Sequence, residues 1–160
     1  MAHRLRPVRP DFVGTAPVRL VFATRLAAPP PAVYRALAER VAETPVWCRA
    51  VASARPLAGG AGREIRLRGG VVFQGRILVA DVDERHLYRV EETNAPGVRA
   101  LLEEWRLGPD GSGTRVRWTL AADGTAPFRL TMRLARGRVG RAFRDAMRGL
   151  DGWAASSPTP

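Results

Sequence analysis

A change of hydrophobic period close to Ala126 constrains this fold more than any other feature of the sequence. From Arg63 to Leu120, short segments alternate apolar and polar residues and are separated by turn sequences, which is typical of antiparallel strands joined by hairpins. From Ala126 to Ala155, apolar residues recur every three or four positions, which is typical of an amphipathic helix. The sequence therefore predicts an antiparallel sheet followed by one long helix.

The pair Gly69-Gly70 marks one of the predicted hairpins. It lies between the alternating segments "REIRLR" and "VVFQGRILVADV". A two-residue hairpin turn needs positive φ at both central residues, and glycine adopts that conformation without strain. We therefore expect both glycines of this pair to be left-handed.

The segment "LLEEWRL", which begins at Leu101, fits two structures. As a strand it places Glu103 on the same face as Leu101 and Trp105. Together with Val98, its apolar residues also fit the spacing of a helix. The turn sequence Pro96-Gly97 before it and the alternating segment "TRVRWTL" after it favour the strand.

The first third of the chain predicts a strand and two short helices. The segment "VRLVFATRL" alternates like a strand, and "AVYRALAERVA" carries Val33, Leu37 and Val41 at spacings of four, like a helix. The next segment, "ETPVWCRAV", is broken by Pro45 and predicts a short second helix or turn that leads into a strand over about 51–57.

The charge of the chain limits the kinds of partner it attracts. The formal net charge of +11 comes from 26 arginines and no lysine. A field this positive draws nucleic acid, lipid headgroups or an acidic protein, and charge alone does not choose among them. A solvated basic surface without a dedicated partner stays open as well. Aromatic residues do not interleave with the arginines of the last helix, so nucleic acid is not favoured.

The length suits one domain, which we place at residues 17–155, with a flexible basic arm over 1–16 and a disordered tail over 156–160. The arm lacks the apolar stretch of a secretory signal, and no apolar run is long enough to span a bilayer. We therefore expect a cytoplasmic protein.

Two residue types exclude further classes of site. Cys48 is the only cysteine, so an intramolecular disulfide cannot form. His3 and His86 are the only histidines, and no cluster with metal-ligand spacing can be assembled from them. We expect neither a metal nor a cofactor.

The order of these elements resembles the helix-grip fold of the START and birch-pollen-allergen-like (SRPBCC) superfamily, in its polyketide cyclase/dehydrase branch. The segments that carry the likeness are "LAAPPPAVYRALAE", "TPVWCRAV", "DVDERHLYRV" and "GSGTRVRWTL", and together they cover roughly residues 18–153. The resemblance implies an α+β fold in which a seven-stranded curved antiparallel sheet wraps around a long C-terminal helix. Two short helices follow the first strand, and an apolar cavity lies between sheet and helix.

The superfamily includes cyclases and carriers, so the resemblance alone does not give a function. Its aromatase/cyclase members steer a poly-β-keto chain with polar groups in the cavity, including an arginine. Arg63 shares a strand face with Ile65 and Leu67, and Arg99 shares one with Leu101. Both stand at strand ends, where they can also reach water, so neither is assigned.

Periodicity alone places large apolar residues of the sheet opposite the apolar stripe of the last helix. Most residues at such positions fill a core, but as a set they form the expected wall of a pocket. The expected ligand-binding residues are Phe22, Trp47, Phe73, Ile77, Tyr88, Trp105, Trp118, Met132, Val139, Phe143 and Met147.

Glu103 is the first candidate for chemistry. Burial beside apolar residues disfavours a charged carboxylate, raises its pKa and suits it to proton transfer onto an enol or carbonyl. Tyr88 or His86, on one face of the neighbouring strand, supplies a second donor. The alternative is that Glu103 meets an arginine or a water, and that His86 is exposed because it follows the "DER" turn.

Two classes of function follow. In the first, the protein is a cyclase or dehydratase that folds a polyketide-like chain, which an acidic carrier protein docked on the arginine-rich helix presents. In the second, it is a carrier or sensor that binds an apolar metabolite or lipid without turnover. A third and weaker hypothesis is ribosome or nucleic-acid binding, which must weaken steeply with salt.

Overall fold

The sheet of the computed structural model, which describes residues 1–157, is curved and antiparallel. Seven strands form one continuous path, and a short eighth strand lies beside it. The predicted α+β class and the curved sheet are confirmed. The strands are β1 (His3–Arg4), β2 (Val18–Leu26), β3 (Val51–Leu57), β4 (Gly62–Leu67), β5 (Val72–Asp81), β6 (Arg85–Thr93), β7 (Val98–Asp110) and β8 (Gly113–Gly124). The order along the path is β2-β8-β7-β6-β5-β4-β3.

The helices lie before, within and after this sheet. Two short helices follow β2, as predicted, and a π-helical turn over Arg35–Glu39 and a 3-10 turn over Val41–Glu43 connect them. The helices are α1 (Phe12–Thr15), α2 (Pro30–Tyr34), α3 (Thr44–Trp47), α4 (Ala126–Leu134) and α5 (Arg136–Ser156).

The predicted long final helix is divided in two. Ala135 ends α4 with ψ near zero (φ −77°, ψ −4°), so the axis changes direction there rather than at the glycines that follow. Gly140 instead allows close packing, because a Cβ at that position would lie 2.9 Å from the Phe22 ring. This glycine marks a contact with β2 and not a bend.

One face of α5 fills the concave side of the sheet. Phe143, Ala146, Met147 and Leu150 recur every three or four positions and are buried. Gly149 brings the helix against α3, because a Cβ there would overlap the carbonyl oxygen of Trp47. The core thus joins α5 to the sheet and to the two short helices.

Asp151 ties the end of α5 to the loop after β2. Its carboxylate accepts hydrogen bonds from the backbone N–H groups of Ala27, at 3.0 Å, and Ala28, at 2.8 Å. These amides lie in the loop before the proline-rich start of α2, so the carboxylate fixes this loop against the end of α5.

The N-terminal segment, residues 1–16, is packed and does not form the expected flexible arm. β1 pairs with the end of β6. Leu5, Val8 and Phe12 are buried, and the last two lie against Leu87 and Leu102 on the outer face of the sheet. Val8 and Phe12 thus cover a second, smaller core. At the other end, α5 continues through Ser156, and residues 158–160 of the expected tail lie outside the described residues.

The hairpin at Gly69-Gly70 has a three-residue loop. The N–H of Gly70 bonds the carbonyl of Leu67 at 3.0 Å, and the N–H of Leu67 bonds the carbonyl of Val71 at 2.8 Å. Only Gly70 of the pair has positive φ, at 93°. The expectation that both glycines are left-handed was wrong, because Arg68 joins the turn and a single left-handed residue closes it.

Candidate functional site

A cavity of about 420 Å³ lies between the concave face of the sheet and the helices α3, α4 and α5. This volume falls within the range of small-molecule pockets. Its lining is mostly aliphatic and aromatic, and the charged side chains in it are those of Arg63 and Glu103. The interior is therefore a hollow with a few polar groups, and not a solid core.

Most of the sequence-predicted wall residues meet at this cavity. Those that line it are Trp47, Phe73, Tyr88, Trp105, Trp118, Met132, Val139 and Phe143. They come from α3, four strands of the sheet and both last helices, so the cavity exists only in the folded chain.

Three predicted wall residues lie in the core instead. Phe22 packs between the rings of Trp118 and Phe143, with centroids 5.8 Å from each. Met147 is almost fully buried on the side of α5 that faces β2 and α2. Ile77 packs into the apolar cluster around Tyr88, next to an irregularity in the pairing of β5 with β6. That irregularity breaks the alternation on which its prediction rested.

Three aromatic rings form a stacked platform in the cavity wall. Trp105 and Trp118 stand opposite each other on β7 and β8, with centroids 5.5 Å apart and planes 19° apart. Phe143 from α5 completes a triangle of rings, 5.7 Å from Trp118 and 6.2 Å from Trp105. Aromatic pairs at such distances attract each other beyond the area they bury. The result is a compact aromatic surface beside the hollow.

Glu103 stands at the edge of this platform. The indole N–H of Trp118 donates to Glu103 Oε1 at 2.6 Å, and Tyr88 lies directly opposite Glu103 across the β6–β7 pair. Burial raises the pKa of Glu103, while hydrogen bonds from Tyr88 and Trp118 and the charge of Arg63 act in the opposite sense. Burial likewise raises the pKa of Tyr88 well above its ordinary value. The carboxyl group is therefore closer to its neutral form than an exposed glutamate.

Arg63 is buried, with 5% of its surface exposed, and it lines the cavity. Its Nη1 donates to the carbonyl of Leu37 at 2.9 Å, its Nη2 donates to His86 Nε2 at 2.9 Å, and its guanidinium lies 5.1 Å from the Tyr88 ring centroid. Arg99, the other arginine considered, is exposed. The signal in the sequence was that Arg63 alternates with Ile65 and Leu67, which also line the cavity.

His86 supports Arg63 from behind. It is 2% exposed and does not line the cavity, so the expectation that it reaches solvent was wrong. Burial, and then the charge of Arg63, lower the pKa of His86 to about 3. Its Nε2 accepts from Arg63, which places the proton of the neutral ring on Nδ1. The ring thus holds the arginine in position, whereas a role in proton transfer finds no support in this placement.

Two further polar groups border the cavity. Burial raises the pKa of the Cys48 thiol, which keeps it protonated. The indole Nε1 of Trp47 is buried and makes no hydrogen bond within the described residues. Across residues 1–157, no three His, Cys, Asp or Glu side chains are grouped so that they hold a metal ion, and no helix there is long and apolar enough to cross a membrane.

Residues 17–152 match the model of a family described as polyketide cyclase/dehydrase and lipid transport. The chain belongs to this family. Uncharacterized proteins of Mycobacterium tuberculosis and Mycobacterium bovis are 27% identical to it over 145 residues, which cover 88% of this chain and 86% of theirs.

Solved structures share the fold of this chain. A START superfamily protein from Mycobacterium smegmatis superposes with a TM-score of 0.71 at 12% identity, over 86% of this chain and 97% of that one. Ara h 8.0201 has a TM-score of 0.69 at 14% identity, over 88% of this chain and 99% of its own. At these identities the likeness concerns the fold. The predicted polyketide cyclase/dehydrase family is confirmed by the family match, and the predicted fold by these superpositions. The family supports a role in binding hydrophobic ligands.

Proposed function

We propose that this protein binds a hydrophobic small molecule, polyketide-like or lipid-like, in the cavity between the sheet and its last helices. The observation that carries the proposal is the cavity of about 420 Å³, whose lining is apolar except for a small polar cluster formed by Arg63, Tyr88 and Glu103. Pockets for small molecules combine an apolar wall with few polar groups that fix the orientation of the guest. The platform of Trp105, Trp118 and Phe143 suits a planar ring or an extended unsaturated chain.

In the catalytic form of the proposal, the polar cluster moves a proton. Neutral Glu103 donates to a ligand carbonyl or enol oxygen, or its carboxylate removes a proton from the carbon next to that carbonyl. Tyr88, as a neutral phenol, donates its single O–H to Glu103 and orients that carboxyl group, and the fixed charge of Arg63 stabilises the developing enolate. Together these steps support an aldol-type cyclisation or a dehydration. In the other form, the same wall carries or senses an apolar metabolite or lipid without turnover.

Filling the cavity is expected to abolish ligand binding. We expect Val139→Trp, which adds a large ring to the lining, to bind 8-anilinonaphthalene-1-sulfonate at least about tenfold more weakly than the wild type, because the added ring takes the volume that the probe needs. Val82→Trp adds the same ring at a turn residue that is 65% exposed, and it is the matched control. Fluorescence titration measures both.

Equal probe affinity in Val139→Trp and the wild type, with both chains folded by circular dichroism, would place binding outside the cavity and refute the proposal. Native mass spectrometry of protein purified from its own host adds a direct observation, since a carrier or enzyme of this kind retains a co-purified small molecule. A variant with a filled cavity should lose that mass.

The catalytic form makes a separate prediction. Glu103→Gln and Tyr88→Phe are each expected to lower cyclisation of a poly-β-keto substrate about 10²-fold, because proton transfer by a positioned group contributes at least that much. Binding of the substrate should change little. Glu84→Gln removes an exposed carboxyl group at the β5–β6 turn and is expected to leave turnover unchanged. If the rate of cyclisation is the same in all variants, the catalytic form of the proposal fails and the carrier or sensor form stands.

A further inference from the structure

Helix α4 presents two leucines to solvent. Leu130 is 56% exposed and Leu134 is 78% exposed, and no residue of this helix is buried. Side chains four residues apart lie on the same face of a helix, so the two leucines form one apolar patch. Exposure of a large apolar side chain to water is unfavourable, and its burial against a partner surface would be favourable.

Arginines outnumber acidic residues in the two last helices, where Arg129 pairs with Asp123 and Arg148 with Asp145. The helices α4 and α5 carry seven arginines, and the only acidic residues in them are Asp145 and Asp151, of which Asp151 accepts two backbone N–H groups. Arg133 and Arg136 donate to the backbone carbonyls of Pro17 and Val21, and neither has a carboxylate within 4.0 Å among residues 1–157. The arginines are Arg129, Arg133, Arg136, Arg138, Arg141, Arg144 and Arg148.

The opposite face of α4 borders the cavity. Phe128 and Met132 line the hollow, while Leu130 and Leu134 face outward from the same nine-residue helix. A single helix without buried residues therefore separates the cavity from the outward apolar patch.

We propose that α4 and the arginines of α5 form a docking surface for an anionic lipid bilayer. Leu130 and Leu134 sink below the headgroups, and the arginines meet the phosphates. Interfacial helices combine aliphatic anchors with cationic side chains in this way, and arginine side chains extend upward to keep their charge at the headgroup level. An acidic protein would satisfy the arginines equally well, and vesicle binding distinguishes it from a bilayer.

This surface also suggests a path by which a hydrophobic ligand enters the cavity. Docked on the bilayer, the wall formed by α4 lies at the lipid surface, so a hydrophobic guest passes between lipid and cavity without crossing open water. That consequence depends on the proposed function, whereas docking does not and is tested without any ligand.

Vesicle co-sedimentation tests the docking. We expect the full chain to bind phosphatidylcholine vesicles that contain phosphatidylglycerol and to bind pure phosphatidylcholine at least about tenfold more weakly, because each basic residue near an anionic surface adds attraction. The double variant Leu130→Ser/Leu134→Ser should bind the anionic vesicles about tenfold more weakly than the wild type, and the difference should persist at high salt, where charge attraction is screened.

Two other exposed apolar residues supply the matched control. Val46 and Val82 are 70% and 65% exposed and lie outside α4, so Val46→Ser/Val82→Ser should bind the anionic vesicles like the wild type. If both double variants bind the anionic vesicles equally well, the positive charge of the whole protein would explain vesicle binding without the two leucines, and the proposal would be overturned. Failure of the wild type to bind vesicles, with leucine-dependent binding to an acidic carrier protein, would overturn it in favour of a protein partner. These vesicle measurements do not depend on whether the cavity binds a small molecule, so a failure of the proposed function would leave them unchanged.

Discussion

Replacing Gly149 with alanine is expected to lower the free energy of unfolding by about 3 kcal/mol. The added Cβ would overlap the carbonyl oxygen of Trp47 and lie 3.1 Å from its carbonyl carbon. Both atoms belong to backbone, so no side-chain rotation relieves the overlap, and α5 must move away from α3. Since Trp47 lines the cavity, that movement also opens the wall at one end. Urea unfolding followed by circular dichroism measures the change.

Gly152 provides the control within the same helix. A Cβ at Gly152 meets nothing within 4 Å. Because alanine is a better helix former than glycine, Gly152→Ala is expected to raise the free energy of unfolding by about 0.5–1 kcal/mol. Opposite signs at two positions three residues apart would show that contact with α3, and not helix propensity, decides the effect. A loss of stability at both positions, or at neither, would contradict this packing.

The second large effect is acid destabilisation through His86. The pKa of His86 is lowered from 6.5 to about 3 in the folded protein, first by burial and then by the charge of Arg63. Between pH 6.5 and about 3, His86 is therefore protonated in the unfolded chain and neutral in the folded chain. As the pH falls through 6.5, the free energy of unfolding should decrease by about 1.4 kcal/mol per pH unit, which amounts to roughly 3 kcal/mol by pH 4.5.

The groups that face His86 set the sign of this effect. Arg63 from β4 adds a positive charge, and the rings of Tyr34 from α2 and Tyr88 from β6 lie 6.4 Å and 6.3 Å away and bring no negative charge. Glu103 opposes the trend, because its raised pKa lets the folded state take up a proton in acid. Its stabilising contribution grows as the pH falls through its folded pKa.

The comparison with His86→Gln isolates the histidine. Glutamine keeps an oxygen that accepts from Arg63 but does not titrate. The difference in free energy of unfolding between wild type and variant should therefore depend on pH, favouring the wild type near neutral pH and shrinking steadily below pH 6.5. Urea midpoints at a series of pH values measure it. A difference that stays constant from pH 7 to 4.5 would mean that His86 titrates normally, and hence that it is not enclosed as described.

Periodicity predicted the parts of the fold that depend on one face of one element. Alternation over Leu101, Glu103 and Trp105 placed these three residues on the cavity side of β7, where they are found. The apolar stripe that includes Val139 and Phe143 likewise placed α5 against the sheet. In such elements a single buried face dominates the free energy, so local sequence and global fold agree.

Periodicity did not predict features that depend on contacts between distant segments. Arg63 and His86 lie 23 residues apart, and each is buried because the other supplies a hydrogen bond. In the sequence, both residues lie near strand ends or turns, and polar side chains at such positions are usually exposed. The packed N-terminal segment was missed for a similar reason. Its apolar residues Leu5, Val8 and Phe12 form no period, and their burial depends on contacts with distant strands of the sheet.

The N-terminal segment limits where the hollow can widen. The middle strands of the sheet are covered on both sides, with Leu87 and Leu102 under the N-terminal residues and Tyr88 and Leu101 toward the guest. Braced in this way, the strands resist bowing outward, and a guest bulkier than the resting volume must push against α4 instead. The size of ligand that the cavity can hold thus depends on how far α4, a short helix without buried residues, can be displaced.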